Sequence, residues 1–353
     1  MTQIAIVILN WNTKEYLSKF LPPLISHSQL QGVEIIVADS HSTDGSVEMV
    51  REQFSDIRVI ELDQNYGFAG GYNRALAQVE AQYYLLLNSD IEVQEGWLEP
   101  LLAFMDQHRD VAACSPVLHD YYNREMLEYA GAAGGYIDRY GYPFCRGRVF
   151  DTTEASDGLP AYPVEVFWTT GACMLIRSEL FREAGGFDEG FFAHMEEVDL
   201  CWRLKNRGHR MAVVPGPAVF HVGGGTLPKS NPFKTFLNFR NNLLLLYKNL
   251  PEEALHKTIR KRMLLDGLAA LMFLVKLRLR DFRAVIRAHG AFRKRREEYK
   301  DFRNDESRNN LQHAHPEIYN RSVVYDYFLA GNKKFGQLRD QFASRMDRRK
   351  IEK

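Results

Sequence analysis

Three observations predict an α/β fold, a mainly parallel sheet flanked by helices. Short apolar runs at 4–9 (IAIVIL), 33–38 (VEIIVA) and 83–87 (YYLLL) stop abruptly at polar residues, as buried parallel strands do. Strand, loop and helix signals alternate from the first residue, which favours right-handed crossovers. The strand ends present Asn10 and Asn12, then Asp39, then Asn88 and Asp90. Ligands of open α/β sheets sit just beyond such carboxyl ends.

The first strand leads to a helix over 16–25 that Thr13 can cap and that Pro22-Pro23 is expected to bend or break. After Asp39 comes a turn-rich loop, with Asp44 or Ser46 capping a helix over 47–54. Asp39 is placed to take a ribose hydroxyl or a base N–H, or to close a local Asx turn. A strand at 57–62 precedes the glycine-rich turn 64–74 (QNYGFAGGYNR), which enters a helix over 75–80. Glycines there admit a ligand close to the backbone, and free N–H groups favour anions. The spacing is not G-x-G-x-x-G, so no dinucleotide fingerprint is supported. In the run 83–93 (YYLLLNSDIEV), Asn88 and Asp90 can share one crevice. A carboxylate there suits a hard divalent cation, and that cation suits a diphosphate. Asn, Ser and Asp are also ordinary turn residues, so this motif alone does not decide.

Residues 97–108 read as a helix and 111–115 as a strand; 119–163 read as loop or short hairpins, a binding segment or a mobile insertion. Strand character returns at 166–176, and a short helix follows from 177. Glu196, Glu197 and Asp199 then open a helix ending near Gly208. The helix dipole favours acids in a first turn, but Phe191, Phe192 and Trp202 also give the apolar flank that a desolvated base needs. A last strand at 211–214 precedes His221 and three glycines, a setting that suits a metal or phosphate ligand and equally a structural histidine.

At 353 residues the chain has room for one large or two modest domains. Four cysteines without C-x-x-C spacing argue against a zinc site or disulfide framework and fit a reducing compartment. The start lacks a basic n-region, so no signal peptide is expected, and no window has the ~18 uninterrupted apolar residues of a membrane span. Net charge is zero, yet residues 1–255 carry −13, 256–300 carry +10 and 301–353 carry +3. An acidic body with a basic tail suggests two functional parts and an anionic partner for the second. Segments 235–250 and 257–289 read as amphipathic helices that lie on an anionic membrane surface or pack on the body. Residues 322–330 read as a short docking helix. No nucleic-acid partner is expected.

In order, ILNWN, VADSHSTDGS, QNYGFAGGYNRAL, LLLNSD, TTGACMLIRSELFREAGGFDEGFF, MEEVDLCWR and HVGGGT resemble the family 2 glycosyltransferases, nearest to their rhamnosyltransferase-like branch. The resemblance covers roughly residues 1–245, the implied catalytic domain, and leaves 246–353 as a basic, mostly helical region. It implies the Rossmann-like GT-A fold, a nucleotide-diphospho-sugar donor (dTDP-, UDP- or GDP-linked), divalent Mn²⁺ or Mg²⁺, inversion at the anomeric carbon, and a glycan or lipid-linked acceptor. The expected setting is cell-surface glycan assembly in the cytoplasm, at the inner face of the membrane. Carried over by position, Asp39 resembles the base-contacting residue, and Asn65, Gly67 and Asn73 the nucleotide-proximal turn. Asn10, Asn12 and Asn88 fall in the donor region. Asp90 matches the last carboxylate of the metal motif and His221 the histidine assisting metal and diphosphate. Glu197 stands where the catalytic base is usually Asp, with Glu196 and Asp199 as rivals. Asn88 replaces the first acid of the metal motif, and Ser40 stands where Asn is usual. The alternatives are a non-catalytic nucleotide-sugar-binding protein and a sugar nucleotidyltransferase. The acids at 196–199 argue against the first. The lack of a basic glycine-rich loop after the first strand argues against the second.

Overall fold

The computed structural model describes residues 2–223, 231–304, 314–339 and 341–351. Gly224, Gly225 and Thr226 of the HVGGGT motif lie outside them. β1 (Ile4–Asn10), β2 (Val33–Asp39) and β3 (Arg58–Glu61) are parallel, with α1 (Lys14–His27) and α2 (Ser46–Gln53) as crossovers. After α3 (Gly67–Leu76) the chain returns to the other side of β1 as β4 (Tyr83–Asn88), parallel to it with Leu9 opposite Asn88. Strand order therefore reverses at β1, and the crevice beyond β1 and β4 is the ligand position of such sheets.

β5 (Ile91–Val93), α4 (Glu99–Gln107) and β6 (Val111–Asp120) follow. Residues 119–163, expected as loop or hairpins, supply the short β7 (Gly135–Asp138), β8 (Pro143–Cys145), β9 (Arg148–Val149) and β10 (Thr152–Thr153) of a second sheet. The chain rejoins the main sheet as β11 (Val164–Val166), β12 (Cys173–Arg177) and, after α5 (Ser178–Glu183) and α6 (Glu196–Asn206), β13 (Arg210–His221). The main order is β11-β13-β6-β12-β4-β1-β2-β3, with β5 on β13. β12 is antiparallel to both neighbours, β4 and β6, so the sheet is mixed on that side. Period 2 places Ala5 and Val7 in the core on one face and Ile4, Ile6 and Ile8 in the core on the other.

Some expected boundaries move. α1 runs through Pro22-Pro23. The carbonyls these prolines leave unpaired, on Ser18 and Lys19, belong to exposed residues that water can serve, while Leu17, Phe20, Leu21 and Leu24 anchor the inner face. α3 begins at Gly67 rather than Ala75. β6 continues through Pro116, and β13 continues past Val214 with a register shift before Val219. Gly45 rather than Asp44 or Ser46 is the N-cap of α2.

α7 (Pro232–Asn249), α8 (Glu252–Val275) and α9 (Leu279–Arg295) pack together, followed by the short α10 (Lys300–Asn304). β14 (Ile318–Tyr319) adds a parallel edge to the second sheet, and α11 (Val323–Phe328) and α12 (Phe342–Asp347) close over it. Phe342 sits 5.5 Å from Tyr136 and 5.1 Å from Tyr319, ring centre to ring centre. Backbone bonds from Glu165 to Arg349 and from Ile351 to Pro163 tie the last residues to β11 and its approach. All four cysteines are free and buried, and no helix among the described residues is long and apolar enough to cross a membrane.

Candidate active site

A cavity of ≈ 450 Å³ opens at the reversal point of the strand order. Asn65, Gly67, Asn88, Asp90, Glu196, Glu197 and His221 line it; Asn10, Asn12, Asp39, Asn73 and Asp199 do not. The Asn10 amide donates to Asp39 Oδ1 (2.6 Å) and to Ser46 Oγ (2.8 Å), and Asp39 Oδ2 accepts from Ser42 N. Asn12 Oδ1 accepts from Thr43 N. These three residues shape the loop whose Ser40 reaches the cavity. Asn73 holds Phe187 through both its amide N and its carbonyl O. The start of α3 is less open to anions than expected. Gly67 N donates to Asn65 Oδ1, and Ala69 N donates to the Phe192 carbonyl. Gly67 itself is required: its φ is 71°, and a Cβ there would meet the Phe192 oxygen at 2.5 Å.

Asp90 and His221 converge. His221 Nε2 lies 3.1 Å from Asp90 Oδ1 and 3.3 Å from Asn88 Nδ2, and Gly223 N donates to Asp90 Oδ2. Glu128, buried in the segment read as loop, sits 3.2 Å from His221 Nδ1 as an ion-pair contact without hydrogen-bond alignment. Burial opposes charge on His221, but Glu128 and Asp90 outweigh it and raise its pKa to about 10. For Asp90 burial again opposes ionisation, and the imidazolium prevails and lowers the pKa. Among the described residues no three His, Cys, Asp or Glu groups enclose an ion. One carboxylate, one imidazole, which would have to give up its Nε2 proton to the incoming ion, and a neighbouring amide form an incomplete set, which fits Mg²⁺ or Mn²⁺ because such ions take their remaining ligands from phosphate and water.

Glu196 and Glu197 bring two carboxyls to the wall of the same cavity, each with an Oε2 that has no hydrogen-bond partner among the described residues. Burial raises Glu197 to about 6. Burial and then the Glu197 charge push Glu196 well above the carboxyl range. Burial and the neighbouring charge thus make Glu196 hold its proton more tightly than Glu197, a division of roles between neighbours. Asp199 is removed from this wall. It is fully buried, bonded to Arg203 (2.8 Å), Lys248 (2.8 Å) and Asn249 (2.9 Å), and lowered to about 2 because those cations overcome burial.

The sequence model of glycosyl transferase family 2 matches residues 5–183. The chain belongs to this family. An N-acetylglucosaminyl-diphospho-decaprenol L-rhamnosyltransferase of Mycobacterium tuberculosis H37Rv is 26% identical over 233 residues, covering 62% of this chain and 75% of that protein. The rhamnosyltransferase WbbL of Escherichia coli K12 is 25% identical over 225 residues, covering 62% and 83%. Among solved structures, a Pyrobaculum calidifontis mannosyltransferase in complex with GDP-Man and Mn²⁺ is similar with a TM-score of 0.52 at 15% identity, covering 82% of this chain and 86% of that one. GalNAc-T7 with UDP, GalNAc and Mn²⁺ reaches 0.55 at 17% identity, covering 68% of this chain and 47% of that one. At such identity the likeness establishes the GT-A fold alone.

This family 2 glycosyltransferase approaches Glu196 and Glu197 through strained backbone. Phe192, His194 and Met195 have φ of 65°, 69° and 75°, left-handed values that side-chain-bearing residues rarely adopt. Asn241 of α7 holds them by donating to the carbonyls of Phe191 (3.0 Å), Ala193 (2.9 Å) and His194 (2.7 Å). Arg240 adds bonds to Gly190 and Phe191. His194 lines the cavity; burial, aided by the Lys234 charge, lowers it to about 4 and keeps the ring neutral. Sequence reading missed His194, Glu128 and Asn241. Adjacency to the acids could have flagged His194; nothing local marks the other two.

Proposed function

We propose that the chain transfers a sugar from a nucleotide-diphospho-sugar to an acceptor hydroxyl by a single inverting displacement, in cell-surface polysaccharide or glycan assembly. The observation that carries this reading is one cavity shared by the raised carboxyl of Glu197 and the Asp90–His221 pair. Glu197 takes the proton of the acceptor hydroxyl. The acceptor oxygen bonds to the sugar C1 as the bond from C1 to the diphosphate oxygen breaks on the opposite face, and the nucleoside diphosphate departs with that electron pair. One base suffices for one displacement. Asp90 and His221, with Asn88 alongside, would hold Mn²⁺ or Mg²⁺, which when bound offsets charge on the leaving diphosphate. Asn65 and Gly67 face the donor. Asn10, Asn12 and Asp39 act through the loop bearing Ser40, and Asn73 acts through the turn at Phe187.

Residues 1–245 form the catalytic unit in this reading, and 246–353 support it and its placement. The donor is dTDP-, UDP- or GDP-linked. The decaprenol named for the mycobacterial relative supports a lipid-linked acceptor, met at the cytoplasmic face of a membrane to which the basic helices are attracted. A donor-hydrolysis screen across UDP-, dTDP- and GDP-sugars, with and without Mn²⁺, tests the reading. Hydrolysis of one nucleotide class that depends on the metal and is lost in Glu197→Gln is expected. Metal-independent hydrolysis unaffected by that substitution would overturn it.

A further inference from the structure

The elbow between α8 and α9 carries an apolar surface that folding leaves uncovered. On α8, Leu264, Leu268, Leu271, Met272 and Val275 are exposed. Their spacing (i, i+4, i+7, i+8, i+11) puts them on one helical face. The elbow adds Leu277 and Leu279, and α9 adds Ile286. Leu277 is 83% exposed and adopts φ 56°. Its N–H bonds to the Leu274 carbonyl, and Arg278 N–H bonds to Phe273, the bond pair of a glycine-terminated helix end. A large apolar side chain thus occupies a solvent-facing position where glycine is usual.

The charges around this surface have one sign. Lys261, Lys276, Arg278, Arg280 and Arg283 are exposed beside it. Between residues 256 and 295 the only acids are Asp266 and Asp281. Both are buried: Asp266 is paired with Arg262 and His289, and Asp281 with Arg278 and Thr235. An apolar stripe rimmed by cations, of which Lys261, Lys276, Arg280 and Arg283 have no acid partner among the described residues, is complementary to an anionic bilayer, whose headgroups meet the cations and whose acyl boundary takes the apolar face.

The elbow also adjoins the cavity mouth. The Thr235 hydroxyl at the start of α7 donates to Asp281 Oδ1 at 2.6 Å, and Phe239 of α7 lies 6.5 Å from Phe273 of α8, ring centre to ring centre. Just before Thr235, Phe233 and Lys234 line the cavity, and the Phe233 ring lies 6.0 Å from Phe192 on the strained wall. We propose that the α8–α9 elbow inserts into the headgroup region of an anionic bilayer and holds the cavity mouth beside it, so that an acceptor anchored in the bilayer presents its hydroxyl from the membrane side. The statement about the acceptor rests on the transferase reading; insertion does not.

The test uses the full chain with an environment-sensitive thiol fluorophore on Leu277→Cys; the four native cysteines are buried. A second labelled protein, Glu52→Cys on α2, is the control. Vesicles of phosphatidylglycerol and phosphatidylcholine should blue-shift the probe at 277, and brominated acyl chains should quench it, while the control is unchanged. Val275→Asp combined with Leu277→Asp should lower vesicle partitioning at least about tenfold, since interfacial binding scales with buried apolar area, and leave donor hydrolysis in vesicle-free buffer unchanged. Insertion without donor hydrolysis in any form would support the elbow and sink the transferase reading. A probe that stays in water on bound vesicles, equal partitioning of the double variant, or a vesicle-free dimer that buries the probe would each overturn the proposal.

Discussion

Replacing Glu197 by Gln should weaken catalysis and strengthen the fold together. Burial raises this carboxyl from its ordinary 4.5 to about 6, and one oxygen has no partner among the described residues. A group whose folded pKa lies above its unfolded pKa holds its proton more tightly when folded. The folded state is therefore penalised as pH rises from about 4.5 to about 6, and fully so above that. A shift of that size corresponds to about 2 kcal/mol at pH 7, because each unit is worth ~1.4 kcal/mol. Glu197→Gln removes the charge and keeps the shape, so urea unfolding at pH 7 should show a gain of about that size that vanishes near pH 4. The same change removes the proton acceptor, and turnover should fall by about 10²–10⁴ with donor affinity kept. In the parent protein kcat/KM should rise with pH through about 6 and then level off. A destabilised variant with normal turnover, or a flat pH profile between 5 and 7, would refute the reasoning.

Asp90→Ala leaves His221 without its carboxylate partner at the cavity and should abolish Mn²⁺-dependent donor binding by calorimetry while circular dichroism is unchanged. Asp199→Ala leaves the buried Arg203 without its carboxylate and Lys248 with Asp188 alone, and should cost about 3 kcal/mol in chemical unfolding. The parent's share of that stability is present above pH 3.8 and is lost only as pH falls through about 2. Gly67→Ala should lower both the unfolding midpoint and donor affinity, because its methyl group collides with the Phe192 carbonyl at a left-handed position.

Much of the frame is legible in the sequence because local pattern dictates it. A buried run that stops at Asn or Asp marks β1, β2 and β4 nearly to the residue, and the crossovers between them follow from strand–helix alternation. Direction is another matter. The five residues of β12 read the same either way, and only pairing with β4 and β6 makes them antiparallel. The glycines of α3 read as loop because helix propensity penalises them, yet the helix opens at Gly67, where the Phe192 carbonyl leaves no room for a Cβ and so requires glycine. At the site, Asp90, His221 and Glu197 are legible from type and position. Asp39 is not separable by sequence from a residue that faces a ligand, since its bond to Asn10 spans 29 residues. Glu128 and Asn241 act over 93 and about 50 residues of chain, on His221 and on the 191–194 carbonyls, and no local pattern encodes such contacts.

The central claim is a single displacement driven from Glu197, and the stereochemistry of donor hydrolysis tests it without knowledge of the acceptor. With water as acceptor and Mn²⁺ present, proton NMR should show the anomer opposite to the donor's as the first sugar released, before mutarotation, and Glu197→Gln should suppress it. First release of the anomer with the donor's own configuration would contradict the account.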